Sequence, residues 1–401
     1  MTAEAGFSKA RLERMRRVLG GHVERGEVPG LVALVSRRGE THVEAIGAQS
    51  RERQNPIQRD TIFRVASMTK PITAVAAMIL VEECKLRLDE PVDRLLPELA
   101  SRRVLKRIDG PLEETEPARR SITLRDLLTF RLGFGMVMAP PDTYPIQQAI
   151  TSLQIAGLKP RPPHAPDEWI RRLGTLPLMH QPGERWMYHT GSDVLGVLIA
   201  RATGQSFESF LTERIFRPLG MKDTAFFVPA EKLDRFASCY QPNPQTGALE
   251  LFDDARESQW NSPPPFPSGG GGLVSTVDDY LAFARMMLNK GRHDRERILS
   301  RRSVEAMVTD YLTPEQKAVS GFFLPRYWDN HGWGLGVSMV MRRESTSIAP
   351  GQFGWDGAFG THWLSDFAED LVLILLVQRT AISQTTLHGD FDMLAYQALD
   401  D

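Results

Sequence analysis

Ser67 and Lys70 stand three residues apart in the stretch Phe63-Arg64-Val65-Ala66-Ser67-Met68-Thr69-Lys70-Pro71. On a helix such positions share a face, so the amine can reach the hydroxyl. A serine hydroxyl is a weak nucleophile until a neighbouring base takes its proton. A lysine is such a base only when burial or a nearby cation lowers its pKa from about 10.4. A Ser-x-x-Lys pair in a dry cleft therefore holds the parts needed for acyl transfer through a serine ester. If Ser67 opens its helix, the N-terminal N–H groups also favour negative charge developing there. The same four residues fit a serine cap followed by a surface lysine. Their surroundings favour the nucleophile: Phe63, Val65 and Ala66 form a short apolar lead-in. Ile72, Val75, Ile79 and Leu86 then recur at helical spacing. Pro71 must lie near the helix start, where its missing N–H costs nothing.

Two further segments carry chemistry. Gln181-Pro182-Gly183-Glu184-Arg185-Trp186-Met187-Tyr188-His189-Thr190-Gly191 is a turn followed by a helix start. A tyrosine there can direct its phenol into a cleft and exchange protons with Ser67 and a leaving group; it also fits a packing residue with a capping hydroxyl. Gly354-Trp355-Asp356-Gly357-Ala358-Phe359-Gly360 begins a late strand. Gly357 lets a substrate approach the backbone edge, and the N–H of Ala358 can pair with that of Ser67 as an oxyanion hole. The alternative is an ordinary hairpin turn. His189 and His362 lie next to these segments and read as supporting residues. The nine histidines show no H-E-x-x-H or clustered ligand spacing, so neither a metal nor a cofactor is expected. No G-x-S-x-G elbow occurs, which argues against an α/β-hydrolase. The run Ser268-Gly269-Gly270-Gly271-Gly272 lacks the phosphate-loop pattern and reads as a close backbone turn.

The elements that must position these residues follow from periodicity. A first amphipathic helix, from the N-terminus, precedes a hairpin of Leu31 to Val35 and Thr41 to Ile46. The Ser67 helix runs to Leu88-Asp89-Glu90-Pro91, with Cys84 as a buried apolar residue on it. Residues 91–264 are mostly helical, with short helices at 122–128, 191–203 and 207–216. The proline-rich segment from Pro140 to Asp167 is a lid or a wall of the site. A helix over 277–289, strands over 333–341, 353–364 and 371–378, and a helix over 386–399 complete the chain. Short links between those strands predict antiparallel pairing. The expected fold is α/β, an antiparallel sheet flanked by N- and C-terminal helices plus a mostly helical lobe. Residues 1–90 and 265–401 form the sheet subdomain, and 91–264 the helical one. With 48 Lys and Arg against 50 Asp and Glu, the net charge of −2 argues against a nucleic-acid partner. No window reaches the roughly 18 to 20 apolar residues of a membrane span. Two cysteines and no apolar leader point to the cytoplasm.

Taken in order, these segments resemble the serine β-lactamase-like superfamily: class C β-lactamases, D-alanyl-D-alanine carboxypeptidases, family VIII carboxylesterases and lovastatin-type acyltransferases. Ser67-Met68-Thr69-Lys70 matches the first motif. Tyr188-His189-Thr190 stands where that group has Tyr-x-Asn, and Trp355-Asp356-Gly357 where it has Lys-Thr-Gly or His-x-Gly. Leu127-Leu128-Thr129, Pro218-Leu219-Gly220-Met221, Gly270-Gly271-Gly272-Leu273 and Gly334-Leu335-Gly336 match as well. The likeness runs from about residue 10 to 380. It implies a β-lactamase/transpeptidase-like fold, no cofactor, and Ser67, Lys70 and Tyr188 as the catalytic set, with Ser67, Ala358, Trp355 and Gly357 around the substrate. Thr190 replaces an asparagine that orients the lysine, and Trp355 a residue that binds a β-lactam carboxylate. Both departures favour a serine carboxylesterase acting on small neutral esters over a β-lactamase or D-Ala peptidase. An acyltransferase to an acceptor other than water shares the same residues, and a ligand-binding sensor of the same fold would form no acyl-enzyme.

Overall fold

Leu371–Val377 is an unbroken apolar run, and every residue of it is buried. Such a run needs cover on both faces of its sheet, since alternate side chains point to opposite sides. The computed structural model, which describes residues 6–321 and 326–400, supplies that cover. We label the strands of the main sheet and of the short ribbon before Ser67 β1 (Gly30–Arg37), β2 (Glu40–Gly47), β3 (Phe63–Arg64), β4 (Val274–Ser275), β5 (His331–Trp333), β6 (Ser338–Val340), β7 (Gln352–Asp356), β8 (His362–Asp366) and β9 (Leu371–Val377). The main sheet has seven strands in the order β5-β6-β7-β8-β9-β1-β2, antiparallel throughout. Strands β1 and β9 are in register from Leu31 opposite Val377 to Arg37 opposite Leu371. Edge strand β2 carries Glu40, His42 and Glu44 and is largely exposed, a composition that discourages pairing with other chains.

The helices used below are α1 (Lys9–Glu24), α2 (Thr69–Glu82), α3 (Leu124–Leu128), α4 (Pro145–Leu153), α5 (Pro166–Thr175), α6 (Thr190–Thr203), α7 (Val277–Leu288) and α8 (Leu387–Gln397). Leu12, Met15 and Leu19 of α1 and Phe391, Leu394 and Ala395 of α8 cover one sheet face, against Leu31, Ala33, Val35, Leu373 and Leu375. On the other face Val32, Leu34, Val372, Ile374 and Leu376 join the large core built from α2, α6 and α7. Alternate residues of β1 and β9 thus enter two different cores. Within α2, every residue from Thr69 to Leu80 is buried, so this helix runs through the middle of the molecule.

Several expectations are corrected. The stretch 333–341 is two short strands, broken at Gly334 and at Gly336, whose φ of 84° suits glycine. The stretch 353–364 is likewise two strands, folded back at residues 357–361. The Ser67 helix stops at Glu82, well before Leu88. Cys84, expected to be buried on it, is exposed and lies beyond its end with a left-handed φ of 58°. The Lys85 N–H bonds the Leu80 carbonyl at 2.9 Å, closing the helix as glycine usually does. Between Pro140 and Asp167 the chain forms α4, started by Pro145 and ended by left-handed Gln154. The opening stretch includes residues 1–5, which lie outside the described residues; its helix is α1.

Truncation of Ile374 to Ala, deep in the larger core, should lower unfolding free energy by about 2–5 kcal/mol. Cys84→Ser, if Cys84 is the surface residue seen here, should change it by less than about 0.5 kcal/mol. Urea unfolding of the two variants beside the parent checks both; a large loss in Cys84→Ser would restore the buried assignment.

Candidate active site

Ser67 sits in a 3-10 turn, Ala66–Met68, between strand β3 and helix α2. The turn is held on three sides. Strand β3 pairs with β4, Phe63 opposite Ser275, and the Val65 N–H bonds the Leu273 carbonyl at 3.1 Å. Tyr280 of α7 donates its hydroxyl to the Met68 carbonyl at 2.9 Å. Below the turn, the buried Arg64 guanidinium donates to the Ala237 carbonyl at 2.6 Å and to Asp253, Ser258 and Gln378. The third side is the main sheet. Thr361, in the turn after β7, bonds the Val65 carbonyl at 3.2 Å. A side chain at Gly357 would come within 2.4 Å of that same carbonyl. Only glycine lets the end of β7 approach the Ser67 turn this closely.

Lys70 lies on the first turn of α2 with 1% of its surface exposed. Its Nζ is 2.8 Å from Ser67 Oγ and donates to the Gly270 carbonyl at 2.5 Å. Burial lowers its pKa to about 7, opposed by the charge of Asp193. The glycine run is thus a close turn with a task. Thr73 of α2 bonds the Gly269 carbonyl at 2.8 Å, and Asp193 of α6 accepts from the Gly270 N–H at 2.9 Å and from the Ser268 hydroxyl at 2.6 Å. A Cβ at Gly269 would meet the Ser192 carbonyl at 2.3 Å. The loop is therefore wedged between two helices and aims one carbonyl at the lysine. From the proline-rich segment, Leu158 packs directly over Gly271.

Tyr188 enters from the turn before α6. Its ring centroid lies 4.4 Å from Lys70 Nζ, and its hydroxyl accepts from Trp355 Nε1 at 2.9 Å. Burial raises its pKa well above the ordinary phenol value, and hydrogen bonds with Ser67 and Trp355 only partly offset that. Phe130, Trp186 and Trp355 surround the ring with centroids 5.5–5.8 Å away. His189 reaches Asp193 at 3.6 Å and is held neutral by burial and by Lys70, its pKa near 4. In the turn after β7, the Ala358 N–H bonds no protein acceptor among the described residues.

The structure thus brings Ser67, Lys70, Tyr188, Trp355 and Gly357 together, with Ala358 on the adjoining turn. The Trp355 N–H points to Tyr188. Thr190 takes the first position of α6, and no hydrogen bond joins its side chain to Lys70. Sequence reasoning missed Asp193 and the Gly270 carbonyl. The available signal was an acidic residue buried in the otherwise small and apolar Gly191-Ser192-Asp193-Val194-Leu195-Gly196.

The architecture is β-lactamase/transpeptidase-like. The Beta-lactamase family model matches residues 15–396, and the chain belongs to that family. It is 41% identical over 359 residues to Protein Rv1367c of Mycobacterium tuberculosis, covering 88% of this chain and 86% of that one. It is 32% identical over 371 residues to Esterase EstB of Burkholderia gladioli, covering 86% and 85%. Among solved structures, EstCE1, a hydrolase with promiscuous acyltransferase activity, superposes with a TM-score of 0.79 at 22% identity, covering 96% and 99%. No described helix is long and apolar enough to cross a membrane.

Burying Lys70 as an amine has a stability consequence. Lowering its pKa from 10.5 to about 7 corresponds to roughly 5 kcal/mol against the ammonium form. The unfolded chain binds a proton on this lysine between about pH 7 and 10.5 that the folded chain does not, so stability rises with pH across that window. Lys70→Met should therefore stabilise the protein at pH 7, by about 1–4 kcal/mol, and the advantage should shrink towards pH 10.5. Denaturant unfolding of both proteins at pH 7 and pH 10 measures it. A destabilised variant at pH 7 with no pH dependence would show that the lysine is not held neutral.

Proposed function

We propose that this protein is a serine hydrolase that cleaves small neutral carboxylic esters through an acyl-enzyme on Ser67. The observation that carries the reading is the buried Lys70 amine, 2.8 Å from Ser67 Oγ and titrating near neutrality. The esterase named among its relatives supports it. Ser67 Oγ attacks the ester carbonyl carbon while its proton passes to Lys70 Nζ. The carbonyl oxygen becomes an oxyanion held by the N–H groups of Ser67 and Ala358, each donor contributing roughly 3 kcal/mol. Tyr188, kept as a phenol, relays the proton from Lys70 to the departing alcohol. Water then attacks the acyl carbon along the same path, its proton returning through Tyr188 and Lys70, and Ser67 is restored. Lys70 is the base in this scheme because burial pushes its pKa down and that of Tyr188 up.

Three side chains serve one proton path, so their losses should not add. Ser67→Ala should abolish acyl-enzyme formation, read as the absence of a mass shift after incubation with p-nitrophenyl butyrate. Lys70→Ala and Tyr188→Phe should each lower kcat by about 10²–10⁴, and their combination scarcely more. More than a few per cent of residual activity in Ser67→Ala would remove the serine from its role. In the parent, kcat/KM should fall tenfold per pH unit below about 7 as Lys70 gains its proton, and level off above.

The substrate class follows from charge. Trp355 presents an aromatic face and directs its one N–H to Tyr188, so it offers no counter-charge to an anionic substrate. A β-lactam carboxylate would be desolvated without a partner there. The parent enzyme should therefore show a much larger kcat/KM for p-nitrophenyl butyrate than for nitrocefin. Preference for nitrocefin would replace the esterase reading with a β-lactamase one.

A further inference from the structure

The turn that carries Ala358 is anchored by a second group of side chains. Asp356 ends β7, His362 opens β8, and His388 lies on the first turn of α8. Twenty-five residues separate the two histidines, so their spacing in the sequence gives no sign of a shared site. Folding nevertheless brings one ligand atom from each of the three residues within 4.8 Å of the others. His362 Nδ1 is 2.6 Å from Asp356 Oδ1, and His388 Nδ1 is 3.9 Å from Asp356 Oδ2.

The far nitrogen of each imidazole is occupied. His362 Nε2 is 3.0 Å from Asp392 Oδ1, and His388 Nε2 is 3.0 Å from the Gly360 carbonyl. Both partners are acceptors, so both histidines carry a proton on Nε2. Both Nδ1 atoms face the same carboxylate: His362 Nδ1 shares a second proton with it, and His388 Nδ1 lies beyond hydrogen-bond distance. A carboxylate or carbonyl behind each ring is the arrangement that orients histidines towards a metal. Asp356 is 57% exposed on its side chain, so the position is open to solvent, while His362 is buried.

We propose that Asp356, His362 and His388 form a site for one divalent transition-metal ion, with zinc as the best match. Two imidazoles and one carboxylate suit zinc, cobalt or nickel, whereas magnesium and calcium take oxygen ligands. Zinc bonds of about 2.0–2.2 Å place tetrahedral ligands about 3.3–3.6 Å apart. The observed 2.6 and 3.9 Å lie on either side of that spacing, and all three ligand atoms lie within 4.8 Å of one another, so Asp356 and the two rings must draw in together to bind the ion. The proton now shared by His362 Nδ1 and Asp356 leaves to solvent as the ion takes its place. Water fills the fourth position. The ion would tie the 357–361 turn, and with it the Ala358 N–H, to the C-terminal helix.

The test uses the full-length protein, stripped with EDTA and titrated with zinc by calorimetry and with cobalt by visible absorption. One ion per chain is expected, with cobalt spectra of nitrogen and oxygen ligation. His388→Ala should weaken binding at least 100-fold. Asp392→Asn, which alters only the support behind His362, should weaken it about 10- to 100-fold. Zinc should raise the thermal midpoint of the parent and not that of His388→Ala. Absence of saturable binding in the parent overturns the proposal and leaves the cluster as an ion-pair fastener. Equal affinity in the parent and in a His388→Ala variant with unchanged circular dichroism overturns it too, by placing the ion elsewhere.

Discussion

An amine shut away from water governs the site. Lys70 is on a helix buried along nearly its whole length, and its partners are a hydroxyl and a carbonyl rather than a carboxylate. A direct carboxylate contact would have fixed the ammonium form. Asp193 instead reaches the lysine through the residue Gly270: its carboxylate accepts from the N–H and the lysine donates to the carbonyl. The charge is close enough to oppose the effect of burial and too far to cancel it. The glycine loop is thus the spacer that sets the strength of the base. Side chains at Gly269 or Gly270 would collide with Ser192, His189 or Asp193 and force the helices apart.

The fold gathers this lysine, its serine and the proposed oxyanion donor from distant parts of the chain. Ser67 and Lys70 come from one turn and its helix, Tyr188 from the entrance to α6, the carbonyl from residue 270, and Ala358 from the sheet. None of these is adjacent in sequence to the next. Their relative positions depend on Val65, whose N–H pairs with Leu273 and whose carbonyl receives Thr361. Two residues before Ser67, the two peptide groups that flank one residue therefore tie the chain both to the end of the glycine loop and to the turn that carries Ala358. A loss of order at the sheet end would shift the Ala358 N–H relative to Ser67, and a change of about 1 Å is enough to cost 10²-fold in rate.

The legible parts of this molecule were those with local signals. Ser67 and Lys70 could be placed because Pro71 and the apolar spacing fix where α2 starts. The all-buried β9 could be placed because a seven-residue apolar run has few other uses. Cys84 was misplaced because a left-handed C-terminal cap usually carries glycine, and here a cysteine takes that conformation. The hairpins within 333–341 and 353–364 were hidden because their turn residues, Gly336, Gly357 and Gly360, sit inside otherwise strand-like stretches. Asp193 and the Asp356, His362 and His388 cluster are contacts between elements far apart in the chain, and no spacing rule reaches them.

Trp355 shows how one residue type can set both proton chemistry and substrate charge. A cation at this position would stabilise a tyrosine phenolate and also attract an anionic substrate. The indole does neither. Its N–H hydrogen-bonds the Tyr188 oxygen while its ring packs edge-on against Trp333 at 4.6 Å. Tyr188, enclosed by Phe130, Trp186 and Trp355, is left as a phenol. With His189 neutral as well, Lys70 is the group beside Ser67 that can change charge near pH 7. When it is a free amine, Lys70 adds no positive charge beside the serine. In the mechanism proposed above, a neutral ester would enter at no cost in charge desolvation, and negative charge would first appear on the carbonyl oxygen in the transition state, where the Ser67 and Ala358 N–H groups would meet it. An anionic substrate would face its desolvation cost on binding instead, before any of those donors could act.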